Sequence, residues 1–160
     1  MWSPHRARVL SFHSPGQKIK MQPINILLVE DDKLDVIDIK RSLDKLNIFY
    51  KLTNARNGEE AITLLDEQIS TGHEALPDVM LIDINMPKVN GFEVLEYMHQ
   101  KEELKQIKRF VLTTSGDKTD KITAEKFGVS GYIIKPLKLN SPSAMDAFNL
   151  MIDLLNFKKN

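Results

Sequence analysis

The chain has 160 residues, 42% of them hydrophobic, with no cysteine and with 22 basic residues against 22 acidic ones. That length suits one domain with its own core, and the balanced charge argues against a sequence-independent hold on nucleic acid, which draws on clustered Lys and Arg. The missing cysteines exclude disulfides, thiolate metal sites and cysteine nucleophiles and fit a reducing cytoplasm; no apolar stretch approaches the roughly 18 residues of a membrane span.

Residues 1–20 differ from the rest. Trp2, Pro4, His5, Arg6, Arg8, His13, Pro15 and Gly16 follow no sustained period, and Val9-Leu10 and Phe12 are too few for the apolar core of a secretory signal. The expectation is a disordered extension over 1–20 and a single domain over 21–160.

From Pro23 onward, short apolar runs alternate with amphipathic stretches, the pattern of repeated β/α units. Strands are predicted at 24–29, 50–55, 78–82, 109–114 and 131–134, and helices at 34–46, 58–69, 91–103, 118–127 and 142–157. Five of each imply an α/β fold, a five-stranded parallel sheet wound on both faces, with every strand-to-helix loop on one edge. Asn57 and Asn90 each stand three residues before a Glu, a spacing that lets side chains satisfy the free amides of a helix start. Ser141 before Pro142 marks the last helix in the same way. In that helix Ala144, Phe148, Met151, Ile152 and Leu155 form one apolar stripe, and Ala147, Leu150, Leu154 and Phe157 a neighbouring one. Together they span roughly 220° at about 100° per residue, so one stripe is expected in the core, leaving the other for a protein interface or a broader core.

The loops at the shared edge carry the chemistry. The run Ile24 to Val29 delivers Glu30-Asp31-Asp32, and Val79-Met80-Leu81-Ile82 delivers Asp83, followed by Ile84-Asn85-Met86-Pro87 and Gly91. Three carboxylates close together repel one another unless a proton or cation intervenes, and Mg²⁺ prefers oxygen ligands supplied by one or two carboxylates plus phosphate. Glu30, Asp31 and Asp83 suit Mg²⁺, with Mn²⁺ as a substitute; the alternative for the triplet Glu30-Asp31-Asp32 is that it caps the first helix and favours its dipole. Phe110-Val111-Leu112 leads to Thr113, with Thr114 and Ser115 beyond, and Gly131-Tyr132-Ile133-Ile134 leads to Lys135-Pro136. Singly, Thr113 reads as a cap and Lys135 as a solvated charge. Together with Asp83 they supply a nucleophilic carboxylate, metal-binding acids, a hydroxyl and an ammonium, the parts needed to accept and hold a phosphoryl group.

On these residues the chain, over about 23–157, resembles the receiver domain of two-component response regulators, a CheY-like, flavodoxin-like fold. The resemblance implies that Asp83 accepts a phosphoryl group from a histidine kinase. It further implies that Glu30, Asp31 and the backbone carbonyl of Asn85 serve the metal, that Lys135 contacts the phosphate, that Thr113 and Tyr132 are the switch pair, and that the Lys135-Pro136 bond is cis. The approach to the third strand, Ile69 to Pro77, is longer than in a minimal receiver and is similar to loops of stand-alone receivers paired with phytochrome-type kinases. Since the receiver fills 21–160, output is expected to pass through another protein, through a homodimer using the fourth helix, fifth strand and fifth helix, or through phosphate flow in a relay. The enzymatic alternative, a metal-dependent phosphatase with an aspartyl-phosphate intermediate, is disfavoured because Asn85 stands where a second Asp serves as general acid; the expected role is therefore a phospho-accepting signalling domain rather than an enzyme.

Overall fold

The computed structural model describes residues 10–11, 20–72, 76–86, 88–114, 118–135, 146, 148–153 and 155. Two two-residue strands, β1 (Leu10–Ser11) and β2 (Lys20–Met21), pair antiparallel, so part of the segment read from sequence as an extension carries β structure. Then follow β3 (Ile24–Val29), α1 (Lys33–Lys45), β4 (Tyr50–Ala55), α2 (Gly58–Thr71), β5 (Val79–Asp83), α3 (Gly91–Gln100), a 3-10 turn (Glu102–Leu104), β6 (Lys108–Thr113), α4 (Lys118–Glu125) and β7 (Gly131–Ile134). Helical residues at 146, 148–153 and 155 belong to the last helix.

Strands β3 to β7 form one parallel sheet in the order β4-β3-β5-β6-β7. All five side chains of β5 are buried, as are five of six in both β3 and β6. Central parallel strands are covered on both faces, which is why they read as unbroken apolar runs instead of alternating ones. At the edge, β4 alternates between partly buried Tyr50 and Leu52 and exposed Lys51 and Thr53. Charge on an edge strand discourages pairing with another chain.

Two apolar clusters sandwich the sheet. Ile24, Ile26 and Leu28 point to one side, packing with Ile39 and Leu43 of α1 and with Phe148, Met151, Ile152 and Leu155 of the last helix. Leu27 and Val29 point to the other, where Ala61 and Leu65 of α2, Val94, Leu95 and Met98 of α3, and Ala124 of α4 cover them. The period-2 alternation along β3 feeds both cores at once. The first stripe of the last helix enters the core at Phe148, Met151, Ile152 and Leu155, whereas Leu150 of the second stripe is exposed. Ala144, Ala147, Leu154 and Phe157 lie outside the described residues, as do Pro87, Ser115, and the Lys135-Pro136 bond expected to be cis.

Two of the expected caps are seen at helix starts, Asn57 and Asn90, while Ser141 and Pro142 lie outside the described residues. Asn57 accepts from the Glu60 amide, and Asn90 and Glu93 form a reciprocal capping box. Helix α3 is shorter than the expected 91–103: Lys101 is extended at φ −107° and ψ 120°, so the helix stops at Gln100 and a 3-10 turn follows. Helix α4 ends at Glu125 instead of 127, in a turn that reaches Gly128 at φ 72°. A left-handed residue closes helices readily when it is glycine. Strands β5 and β6 each sit one residue away from the expected spans, which makes Asp83 the last residue of β5 and Thr113 the last of β6.

One buried charge supports the fold away from the sheet edge that carries the acids. Arg109 of β6 is 3% exposed, and its guanidinium donates to the carbonyls of Phe127, at 2.7 Å, and Leu104, at 2.9 Å. It thus ties together the segments that follow α4 and α3, where carbonyls lack intrahelical partners. Arg109→Met removes both bonds, leaving the Leu104 carbonyl with the Ile107 amide alone and the Phe127 carbonyl without its guanidinium donor, an expected loss of about 2 kcal/mol. Urea unfolding checks this: the midpoint falls at unchanged slope.

Candidate functional site

In the chain order of the sheet, β3 is followed outward by β4 and then, on its other side, by β5. Connections leave β3 and β5 in opposite directions, so a crevice opens beyond their C-terminal ends. Open α/β sheets bind ligands at such a switch point. Glu30 and Asp31 leave β3 there, and Asp83 ends β5 there; one carboxylate oxygen from each lies within 4.8 Å of the others.

Local backbone bonds aim these acids. The Glu30 amide donates to the Ala55 carbonyl at 3.0 Å, and the Asn54 amide group donates to the carbonyls of Leu28 and Glu30, at 3.1 and 3.2 Å. Of the acidic triplet, Asp32 is the helix cap, accepting from the amides of Leu34 at 2.8 Å and Asp35 at 3.2 Å. Glu30 instead turns into the crevice, where it is 1% exposed and accepts from the Asp32 amide at 3.1 Å. The two readings of the triplet therefore divide between residues: Asp32 caps, and Glu30 and Asp31 face Asp83.

Gly91 brings α3 close to the acceptor strand. A Cβ at this position would overlap the backbone carbonyl of Asp83 and lie 2.7 Å from the Ile84 Cα. Only glycine permits that approach without a shift.

Lys135 is the central cation. Only 8% exposed, it follows β7 and donates to Asp35 Oδ2 at 2.8 Å, Glu30 Oε2 at 3.0 Å and Asp83 Oδ2 at 3.2 Å. Its three ammonium hydrogens match three carboxylate partners. Burial alone lowers an ammonium's pKa, but the bonds to Asp35 and Glu30 and the charge of Asp83 reverse this and hold Lys135 above its usual range. The other oxygen of Asp83 accepts from the Asn85 amide at 2.9 Å. Burial, aided by the nearby Asp83 charge, pushes the Glu30 carboxyl up to about 8 against the opposing bonds from Asp32 and Lys135.

Thr113 ends β6, 1% exposed, and its carbonyl accepts from the Lys135 amide at 2.8 Å. Tyr132 is farther off. Its hydroxyl donates to the Lys121 carbonyl of α4 at 2.9 Å, and the Lys121 ammonium sits 5.5 Å above its ring. The structure thus gathers Glu30, Asp31, Asp83 and Lys135, sets Asn85 and Thr113 beside them, and places Tyr132 against α4. Sequence reasoning missed Asp35 and Asn54. Asp35 had one signal: it lies three residues after a capping Asp, in the first turn of the helix that leaves the acidic loop.

Comparison with known proteins adds family evidence to this geometry. The profile of the response regulator receiver domain matches residues 26–144. Response regulator Rcp1 of Synechocystis sp. is 36% identical over 117 residues, covering 73% of this chain and 80% of Rcp1. The crystal structure of the Mn²⁺-bound form of response regulator Rcp1 aligns at a TM-score of 0.63 and 30% identity, covering 86% of this chain and 92% of that one. The phosphorylated cyanobacterial phytochrome response regulator RcpA aligns at 0.65 and 29%, again covering 86% and 92%. Receiver domains are signalling domains that bind divalent metal and interact with histidine kinases. The match over most of the chain, a relative at this identity and the shared five-stranded fold lead to one conclusion: the chain belongs to the response regulator receiver family.

Proposed function

We propose that the chain works in the cytoplasm and accepts a phosphoryl group on Asp83 from a sensor histidine kinase, in a Mg²⁺-dependent reaction. The observation that carries this reading is the buried Lys135 ammonium, 3.2 Å from Asp83 Oδ2 at the switch point. Asp83 attacks the phosphorus in line, the bond from phosphorus to the kinase imidazole breaks, and an acyl phosphate forms. Lys135 offsets charge on the transferring oxygens. Such transfer depends chiefly on positioning and electrostatic stabilisation.

The donor set fits a hard divalent cation: three carboxylate oxygens from Glu30, Asp31 and Asp83 lie within 4.8 Å. Glu30, Asp31, Asp83 and the Asn85 carbonyl would hold Mg²⁺ or Mn²⁺, with Glu30 acting through water. When bound, the ion supplies positive charge to the phosphoryl oxygens. The kinase is inferred to be phytochrome-type from the likeness to phytochrome response regulator RcpA.

Thr113 and Tyr132 serve as the switch pair. Tyr132 turns inward by giving up its bond to the Lys121 carbonyl, which frees α4 to shift. Exposed Ile122 of α4, Ile134 of β7 and Leu150 of the last helix are 58%, 44% and 44% accessible. These residues furnish the homodimer face through which the signal leaves. No nucleic-acid contact is involved.

Acetyl phosphate with Mg²⁺ is expected to modify Asp83, as read by intact-mass and peptide analysis, and Asp83→Asn to abolish the modification. An unmodified wild-type chain, under conditions that phosphorylate a comparable receiver, would refute the proposal.

The Glu30 carboxyl sets a pH dependence. Its pKa rises from the ordinary 4.5 to about 8 in the folded protein, so its contribution to stability is present below 4.5 and lost as pH rises through about 8. Mg²⁺ stabilises the carboxylate form, so its affinity grows with pH by up to about tenfold per unit where one proton is displaced. The melting temperature gained on adding Mg²⁺ is therefore larger at high pH than at low, and Glu30→Gln flattens the trend. An equal gain at both pH values in the wild type would remove Glu30 from the linkage.

Sedimentation tests the output face. The phosphorylated chain dimerises, and Ile134→Glu combined with Leu150→Glu restores the monomer. A dimer unaffected by both changes lies on another surface.

A further inference from the structure

Lys135 has three carboxylate partners, and the proposed reaction alters two of them. Glu30 and Asp83 belong to the group of acids that would meet the cation, and Asp83 also gives up its charge when it becomes an acyl phosphate. Asp35 is not among the three carboxylates that converge within 4.8 Å. Its bond to Lys135, at 2.8 Å, is nonetheless the shortest of the three. The carboxylate also has a fixed base. The Asp35 amide donates to Asp32, the N-cap of α1, and the N-terminal end of a helix favours a negative charge in its first turn.

We propose that Asp35 is a positioning residue, the partner that keeps the Lys135 ammonium aimed at the crevice while Glu30 and Asp83 change partners during phosphoryl transfer. The inference rests on Asp83 being the acceptor. A lysine side chain has four flexible carbons and loses its aim readily once its partners go. With the Asp35 bond retained, the hydrogen given up by Asp83 Oδ2 is free for a phosphoryl oxygen, and the ammonium need not reorganise. The same bond joins α1 to the loop after β7, elements 100 residues apart in sequence.

The test uses the full chain and acetyl phosphate at saturating Mg²⁺, with Mg²⁺ affinity measured separately by calorimetry. Asp35→Asn keeps the shape but loses the charge-assisted bond. It is expected to lower the phosphorylation rate about tenfold while Mg²⁺ affinity stays within about twofold of the wild type. Asp35→Glu, which restores the carboxylate, recovers part of the rate and shows that the loss is not one of folding. In a Lys135→Met background, Asp35→Asn has no further effect, because the group it positions is gone. A rate in Asp35→Asn equal to or above the wild type overturns the inference, as does an undiminished effect in the Lys135→Met background. An unphosphorylated wild type instead overturns the acceptor reading beneath it.

Discussion

The buried ammonium of Lys135 is the constraint around which the sheet edge is arranged. It makes three carboxylate bonds of 2.8 to 3.2 Å, one each to Asp35, Glu30 and Asp83. Without it, the carboxyl groups of Glu30 and Asp83, both 1% exposed, would lose the cation that they share. Desolvation makes such a pair costly, and its burial still pushes the Glu30 carboxyl up to about 8. The carboxylate form of Glu30 is therefore disfavoured by burial and would be favoured by added positive charge. A surface patch of acids has no comparable demand, because water screens its charges.

Holding charges in this way requires a rigid frame, and the parallel sheet supplies it. The acids leave β3 and β5, neighbours joined in register from Ile26 with Val79 to Val29 with Ile82. The lysine leaves β7, two strands over, with its amide bonded to the Thr113 carbonyl at the end of β6. Each strand is pinned by apolar packing on both faces, so the two cores fix the spacing of the charges. Gly91 completes the frame by letting the start of α3 lie against the Asp83 carbonyl.

This division of labour explains what was legible in the sequence. Central strands announce themselves because burial on both faces favours near-continuous apolar runs, so β3 and β5 with the acids they deliver, and the Phe110 to Leu112 part of β6 that leads to Thr113, could be read directly. Caps at Asn57 and Asn90 were legible because their partners lie three residues away. Through-space partners leave no such trace. Arg109 sits inside a strand whose pattern gives a charge no reason to be buried, and its acceptors, Leu104 and Phe127, are backbone carbonyls that any residue offers. Asp35 resembles an ordinary first-turn acid until the fold brings Lys135 to it from 100 residues away. The early end of α3 turns on the extended backbone of Lys101, a residue with no intrinsic reason to break a helix.

The same geometry distinguishes the site from the switch proposed to read it. The acids and Lys135 are held by charge-assisted bonds, whereas Tyr132 is half-buried and meets α4 through a neutral hydrogen bond, from its hydroxyl to the Lys121 carbonyl, and through the Lys121 ammonium 5.5 Å above its ring. A neutral bond of this kind contributes about 1 kcal/mol, and charged ones roughly twice that. Rearrangement at the sheet edge is therefore the stronger event, and the tyrosine contact the weaker one that can follow it. Moving a two-state equilibrium from 1:99 to 99:1 takes about 5.5 kcal/mol of differential stabilisation. The Tyr132 bond alone falls well short of that. In the proposed switch the remainder comes from the charge added at Asp83, and α4 responds because its tie to β7 is the weaker link.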